Sequence, residues 1–227
     1  MVQFGSRPEA LYAALIGDVV RSRASGNRGR LQRRLLEEIE RLNSSLEDRL
    51  ARPLALTAGD EIQGLFRCPS GAVTAVVGLS EAIFPESLVF GLGYGGLSTD
   101  LYEDVARIDG PCFHRAREAL REAGSERWLT ARGLAGMNDS VLTSLFTLMQ
   151  AVRRRWTDKQ LEYVRAARRA PQKEVARDFG VSPSTVSESL KAAGFKAVRE
   201  GEETATGLLA GFGLASESNL SSVEKPK

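Results

Sequence analysis

The octapeptide GDEIQGLF, residues 59–66, places two carboxylates, Asp60 and Glu61, after a glycine and between two apolar runs. Glycine and aspartate favour tight turns, so this stretch predicts a hairpin. A second aspartate, Asp18, ends the apolar run ALYAALIG, which is typical of a buried strand. Carboxylate oxygens suit Mg²⁺ or Mn²⁺, so Asp18 and Asp60 held close together predict a divalent metal site. The alternative is that both aspartates only end strands and turns.

The elements that must position these carboxylates follow one another in the first 100 residues. A strand ending near Asp18 is followed by an amphipathic helix, GRLQRRLLEEIERLNSSLEDRL, and then by the hairpin. The helix SGAVTAVVGLSEAIF, with Ser70 as its N-cap, and the strand SLVFGLGYGGLS complete the unit. The order β-α-β-β-α-β predicts a ferredoxin-like α+β fold, in which the first and third strands are neighbours. Glu61 is expected to point to the opposite side of the hairpin from Asp60, into solvent.

The glycine-rich stretch GLGYGG, residues 91–96, has some similarity to a phosphate-binding loop. It lacks the helix that should follow such a loop, so close backbone packing is the better interpretation. A further helix in DGPCFHRAREALREAG, a strand in RWLTARGL and a helix in SVLTSLFTLMQAVRRRW are predicted after it.

Composition narrows the class of protein. The 227 residues are 42% hydrophobic and 26% charged, as in ordinary globular proteins. No apolar run approaches the roughly 18 residues of a membrane span, and the N-terminus has no apolar signal core. Only two cysteines, Cys68 and Cys112, and one histidine, His114, are present, which excludes a Cys/His zinc cluster. We therefore expect a cytoplasmic protein with no membrane partner.

Basic charge is concentrated in one part of the chain. Residues 151–200 contain 12 Lys and Arg against 6 Asp and Glu, whereas the remainder contains 19 against 23. A local excess of cations predicts a polyanionic partner for that segment alone.

The stretch QKEVARDFGVSPSTVSESLK, residues 172–191, has the spacing of a helix-turn-helix. Gly180 stands where the tight turn needs a positive φ, and Ser182 and Pro183 suit the cap and first turn of the second helix. Val186 and Leu190 give that helix an apolar face. The second helix of such a motif enters the DNA major groove. The alternative is a three-helix bundle used only for protein contacts, which the basic charge disfavours.

Double-stranded DNA is therefore the predicted partner of this segment. The side chains predicted to reach base edges are Ser184, Thr185, Ser187, Glu188 and Lys191. Lys173 and Arg177 are predicted to lie nearer phosphates. A homodimer is also predicted, because a single helix-turn-helix buries too little surface for tight operator binding. The apolar helix 141–149 and the segment GLLAGFG are the candidate dimer interface.

Four blocks in the first 125 residues, LIGDVVRSR, GDEIQGL, FGLGYGGLSTDL and DGPCFHRAREAL, resemble the SatD family, a group of bacterial proteins that often carry a C-terminal helix-turn-helix. The helix-turn-helix itself resembles that of sigma-factor-like regulators. More distantly, the same four blocks are similar to the palm-like catalytic domains of class III nucleotidyl cyclases, where a strand-ending Asp and a hairpin GD hold two metals.

The cyclase resemblance implies roles for individual residues. Asp18 and Asp60 take the positions of the two metal ligands, with Mg²⁺ or Mn²⁺ as the cofactor. The implied nucleotide contacts are Arg21, Ser22 and Arg23, in the turn that wraps triphosphate, and His114 and Arg117. His114 stands where cyclases have an Asn, and Glu118 where they have a transition-state Arg. A carboxylate there would repel the charge that develops on phosphate, which disfavours catalysis.

The sequence thus predicts a ferredoxin-like, cyclase-related domain over residues 1–135, a connecting helix over 136–155, a helix-turn-helix domain over 156–200, and a short helix with a disordered tail over 201–227. The leading function is a DNA-binding transcription regulator whose N-terminal domain binds a nucleotide or metal–nucleotide ligand. The alternative is a metal-dependent nucleotidyl-transfer enzyme with an accessory helix-turn-helix.

Overall fold

A computed structural model of the chain describes residues 10–20, 28–57, 61–124, 127–135 and 137–213. Within these ranges the protein is a mixed α+β structure, with one five-stranded sheet and eight α-helices. The strands are β1 Tyr12–Val19, β2 Leu50–Leu56, β3 Ile62–Phe66, β4 Leu88–Gly95 and β5 Leu129–Arg132. The helices are α1 Arg28–Ser45, α2 Gly71–Ile83, α3 Pro111–Ala123, α4 Asn138–Arg153, α5 Asp158–Ala167, α6 Gln172–Asp178, α7 Pro183–Ala192 and α8 Phe195–Gly213.

The sheet has the strand order β2-β3-β1-β4-β5. Strand β1 lies between β3 and β4 and is antiparallel to both, whereas β5 joins the edge of β4 in parallel. The register places Gly17 opposite Ile62 in β3 and Asp18 opposite Val89 in β4. The first and third strands are therefore neighbours in the sheet, as predicted.

The two faces of the sheet have separate cores. Helices α1 and α2 cover one face, and the apolar residues of α1 at helical spacing, such as Leu35 and Leu42, are fully buried there. Helix α3 covers the other face, where Phe113 packs with Ala14 and Ile16. The first core continues without a break into α4–α8, so the helices of the C-terminal half pack directly on the sheet region.

Strand β4 and helix α3 approach each other at the level of the backbone. A Cβ atom at Gly91 would lie 2.0 Å from the Ala116 carbonyl oxygen, and one at Gly93 would lie 2.0 Å from that of Cys112. No side chain fits in this contact. The glycines of GLGYGG therefore serve close packing.

Two local predictions agree with the structure only in part. Ser70 has helical dihedral angles and forms no capping hydrogen bond, and its hydroxyl instead contacts the Cys68 sulfur at 3.1 Å. The predicted short C-terminal helix is the 19-residue α8, which begins at Phe195, before the expected boundary at residue 200. It begins there because Gly194, with φ +63°, separates it from α7, and because Val198 and later apolar residues recur at helical spacing.

In the described ranges, no helix combines the length and apolar character needed to cross a membrane.

Candidate functional site

Asp18 lies near the end of β1, where its side chain is exposed. Strand alternation places it on the same sheet face as Ile16, the face covered by α3. Asp60, its predicted partner, lies outside the described residues, so the carboxylate pair stays a prediction. Among the described residues no group of three or more His, Cys, Asp or Glu side chains is suited to hold a metal ion.

Glu61 differs from the expectation of a solvated side chain. It is half-buried, and its carboxylate accepts hydrogen bonds from Gln63 Nε2 at 2.5 Å and from Thr57 Oγ1 at 3.3 Å. The pairing of Gly17 with Ile62 places it beside the end of β1. Local hydrogen bonds therefore already occupy this carboxylate.

His114 and Arg117 lie close together in the first half of α3. The His114 Nε2 atom is 3.1 Å from a carboxylate oxygen of Asp109, and Arg117 Nη1 is 3.7 Å from the same carboxylate. Desolvation raises the pKa of Asp109. The hydrogen bond from His114 and the charge of Arg117 outweigh it and hold this pKa below its usual range. Glu118 is exposed on the same helix. Arg117 is the nearest cation in sequence that could replace the transition-state arginine of the cyclases. Its guanidinium therefore already lies beside the Asp109 carboxylate.

Helix α3 and Asp18 lie on the same face of the sheet. Helix α3 begins beside Gly95 and packs along β4, so that its start lies at the end of β4 opposite to Val89, the partner of Asp18. Further along α3, the backbone of Ala116 and Leu120 packs on Gly91, which is two residues from Val89 in β4. A single nucleotide site formed by Asp18, His114 and Arg117 stays a prediction. Arg21, Ser22 and Arg23 lie outside the described residues, and their predicted phosphate contact stays untested.

Helices α6 and α7 have the local geometry that the sequence predicts. Gly180 joins them with φ +64°, and the Ser182 hydroxyl accepts a hydrogen bond from the Thr185 amide at 3.1 Å. Pro183 occupies the first turn of α7. The apolar side chains that hold the pair together are Val175, Ala176, Val186 and Leu190, all of them buried. Tyr163 of α5 supports the turn through an edge contact with Phe179, with ring centroids 5.0 Å apart.

All the side chains predicted to contact DNA are exposed. On α7 these are Ser184, Thr185, Ser187, Glu188 and Lys191, and on α6 they are Lys173 and Arg177. The hydroxyls of Ser184 and Thr185 lie 2.7 and 2.8 Å from that of Ser182, at the start of α7. Arg177 makes an exposed ion pair with Asp178 at 3.3 Å. The outer side of α6–α7 is thus a polar surface that carries both basic groups and hydroxyls.

A buried ion-pair network was not predicted from the sequence. The Arg168 guanidinium donates to Glu81 at 3.0 Å and to both oxygens of Glu202 at 2.7 Å. Arg153 is buried nearby over the Trp128 ring, 3.9 Å from its centroid, and burial lowers the pKa of Arg153 to about 10. The network ties α2, α8 and the end of α5 together. The signal available in the sequence was that Glu202 interrupts the apolar stripe formed by Val198, Ala205 and Leu209.

Comparisons with known proteins identify a family and distantly similar solved structures. Two solved structures, each described as a bacterial light-regulated adenylyl cyclase, are both 12% identical to this chain. The first has a TM-score of 0.43 and covers 54% of this chain and 75% of its own, and the second has a TM-score of 0.40 and covers 54% and 43%. No curated protein matches. The SatD family model matches residues 12–209, and the chain therefore belongs to the SatD family.

Proposed function

We propose that this SatD-family protein is a DNA-binding transcription regulator, in which α6 and α7 form a helix-turn-helix that recognises double-stranded DNA. The observation that carries the proposal is the turn between these helices. Gly180 adopts the positive φ that such a turn needs, and Ser182 caps a helix whose outer side is polar and exposed. The exposed side of α7 carries the hydroxyls of Ser184, Thr185 and Ser187 and the cation of Lys191, which are side-chain types that contact bases and phosphates.

The sheet region is, in this proposal, a ferredoxin-like ligand-binding domain. The antiparallel order of β2, β3, β1 and β4, with α1 and α2 as the connections, supports this assignment. Its ligand is a nucleotide or metal–nucleotide, with Asp18 and Asp60 holding Mg²⁺ or Mn²⁺. Binding rather than nucleotidyl transfer is favoured because Glu118 adds negative charge and Arg117 lies beside Asp109.

The regulator acts as a homodimer in this proposal, since two helix-turn-helix units on a two-fold site bury enough DNA surface for specific binding. The predicted interface needs adjustment. Leu142, Phe146 and Leu209 are buried within the chain, where α4 packs on α8. The apolar side chains of α4 that remain for a partner are Val141 and Leu148, which are exposed.

Substitution of two basic residues, Lys191 and Lys173, tests the DNA proposal. Lys191→Ala is expected to weaken binding of a specific duplex by about 1–3 kcal/mol, because this side chain projects from the recognition helix. Lys173→Ala is expected to weaken binding to all sequences alike, because it contacts phosphate. Fluorescence anisotropy with the full chain measures both. Lys196→Ala on α8, where the side chain is 92% exposed, is the control and should bind as the wild type. Equal affinity of all three variants and the wild type would contradict the assignment of α6–α7.

Metal-dependent stability tests the proposed ligand site. Mg²⁺ or Mn²⁺ is expected to raise the melting temperature of the wild type, more so with a nucleoside triphosphate present, because a cation relieves the repulsion between two nearby carboxylates. Asp18→Asn and Asp60→Asn should abolish this increase and leave the apo protein as stable as before. Glu61→Gln should retain it, because Gln63 and Thr57 already occupy that carboxylate. The site does not exist if both Asp variants respond to metal as the wild type does.

A further inference from the structure

A charged cleft lies between the helices that cover the sheet and the helices of the C-terminal half. Its volume is about 710 Å³, and its walls come from α1 and α2 on one side and from α5, α8 and the residues just after α5 on the other. This volume is within the range of small-molecule sites, about 300–1,000 Å³. The cleft is separate from Asp18, which lies on the sheet face covered by α3.

The lining of this cleft contains six arginines and five glutamates, and three of the arginines, Arg34, Arg165 and Arg169, form no ion pair with those glutamates. The Arg165 Nη2 atom is buried and has no hydrogen-bond partner. Burial has the largest effect and lowers the pKa of Arg165; the charge of Glu81 raises it, and the nearby charges of Arg34 and Arg169 lower it. Buried donors without partners are costly and are rare in native proteins. An anion that accepts from these guanidinium groups would remove that cost.

The acidic side chains of the cleft are mostly paired with other arginines. Glu38 bonds Arg41 at 2.5 Å, and Glu203 is 3.4 Å from Arg199. Both carboxylates of the buried network bond Arg168. Charge from Glu38 and Glu81 still reaches Arg165, but neither carboxylate is hydrogen-bonded to it. Glu37, the remaining acid of the lining, is exposed on α1.

The side chains of Arg34 and Arg169 remain accessible to a ligand. Arg34 makes a 3.3 Å hydrogen bond from Nη2 to the Phe84 carbonyl oxygen, which leaves its other donors available. Arg169 is exposed, and its guanidinium has no hydrogen bond or ion pair with any other part of the chain that the structure describes. Guanidinium groups match phosphate oxygens in a bidentate geometry.

We propose that Arg34, Arg165 and Arg169 bind the phosphate group of a small phosphorylated molecule in this cleft. The ligand contacts α1 on the sheet side and α5 on the helical side, and α5 packs directly against α7. Occupation of the cleft therefore holds the recognition helix in one position relative to the sheet. This regulatory role rests on the proposed function, whereas the binding of phosphate does not.

The test uses the full chain in EDTA, with pyrophosphate as the probe, so that the proposed metal site is inactive. Isothermal titration calorimetry should show saturable binding to the wild type. Arg169→Ala and Arg165→Gln are each expected to weaken it at least tenfold. Because these changes remove an uncompensated cation, the melting temperature without pyrophosphate should stay unchanged or rise. Since Arg169 is exposed, its variant folds even if the Arg165 variant does not.

Two controls separate this site from general anion attraction and from the Asp18 site. Arg121→Ala, on α3 across the sheet, and Asp18→Asn should bind pyrophosphate as the wild type does. Wild-type affinity in Arg169→Ala, or an equal loss in Arg121→Ala, would overturn the proposal. The two proposals can fail separately. If Arg169→Ala loses pyrophosphate binding but the wild type has no affinity for DNA, the phosphate site in the cleft is supported and the proposed DNA-binding function is contradicted.

Discussion

Replacement of Arg168 by methionine is expected to lower the free energy of unfolding by about 3–5 kcal/mol, because it leaves buried carboxylates without a partner. The side chains of Arg168, Glu81 and Glu202 are only 14%, 7% and 9% exposed. Their hydrogen bonds join residues that are 87 and 34 positions apart, so the loss should affect the packing of α2 against the C-terminal helices. Urea denaturation at neutral pH measures the change.

The matched control is Arg199→Met, on the same side of the cleft. Arg199 pairs with Glu203 in an exposed position, so its loss should cost less than about 1 kcal/mol. Replacing Arg168, Glu81 and Glu202 together by methionine should recover part of the stability, since the buried carboxylates are then removed, whereas buried Arg153 loses the favourable charges of Glu81 and Glu202. A single Arg168→Met variant as stable as the wild type would show that this network does not hold the two halves together.

Gly93→Ala is expected to cost about 3 kcal/mol or more, at the upper end of overpacking effects. The new Cβ would lie 2.0 Å from the Cys112 carbonyl oxygen and 2.3 Å from the Ala116 amide nitrogen, and neither backbone can move without displacing α3 from the sheet. Thermal unfolding followed by circular dichroism measures the loss.

Gly207→Ala is the control for this substitution, with an expected effect of opposite sign. Gly207 lies within α8, and a Cβ there would meet nothing within 4 Å. Alanine should therefore stabilise the helix by about 0.5–1 kcal/mol. If Gly93→Ala folds with wild-type stability, the glycines of β4 are not required for packing.

Elements with local signals were predictable from the sequence. Leu35 and Leu42 follow helical spacing in α1, and both are buried on the sheet. Gly180 shapes the turn through its own positive φ, and Ser182 caps α7 by accepting a hydrogen bond from an amide three residues later. Because such preferences depend on neighbouring residues alone, the helices and the turn of α6–α7 agree with their sequence predictions.

Features that depend on distant parts of the chain were not predictable. Nothing near Arg168 indicates that Glu81 will be its partner, since only the packing of α2 brings them together. The place of His114 on the sheet, near Gly93, follows from the direction in which α3 crosses β4. That direction is set by long-range packing, so it cannot be predicted from the residue types near His114.

The most direct test of the central proposal is the salt dependence of DNA affinity for the full chain. Between about 50 and 200 mM salt, the logarithm of the binding constant should fall linearly with the logarithm of salt concentration, by roughly 0.9 for each phosphate neutralised. Lys173→Ala should make the slope shallower by about one such unit. A protein that shows no measurable affinity at about 50 mM salt, or an affinity that salt does not change, would contradict the assignment of α6–α7 as a DNA-binding helix-turn-helix.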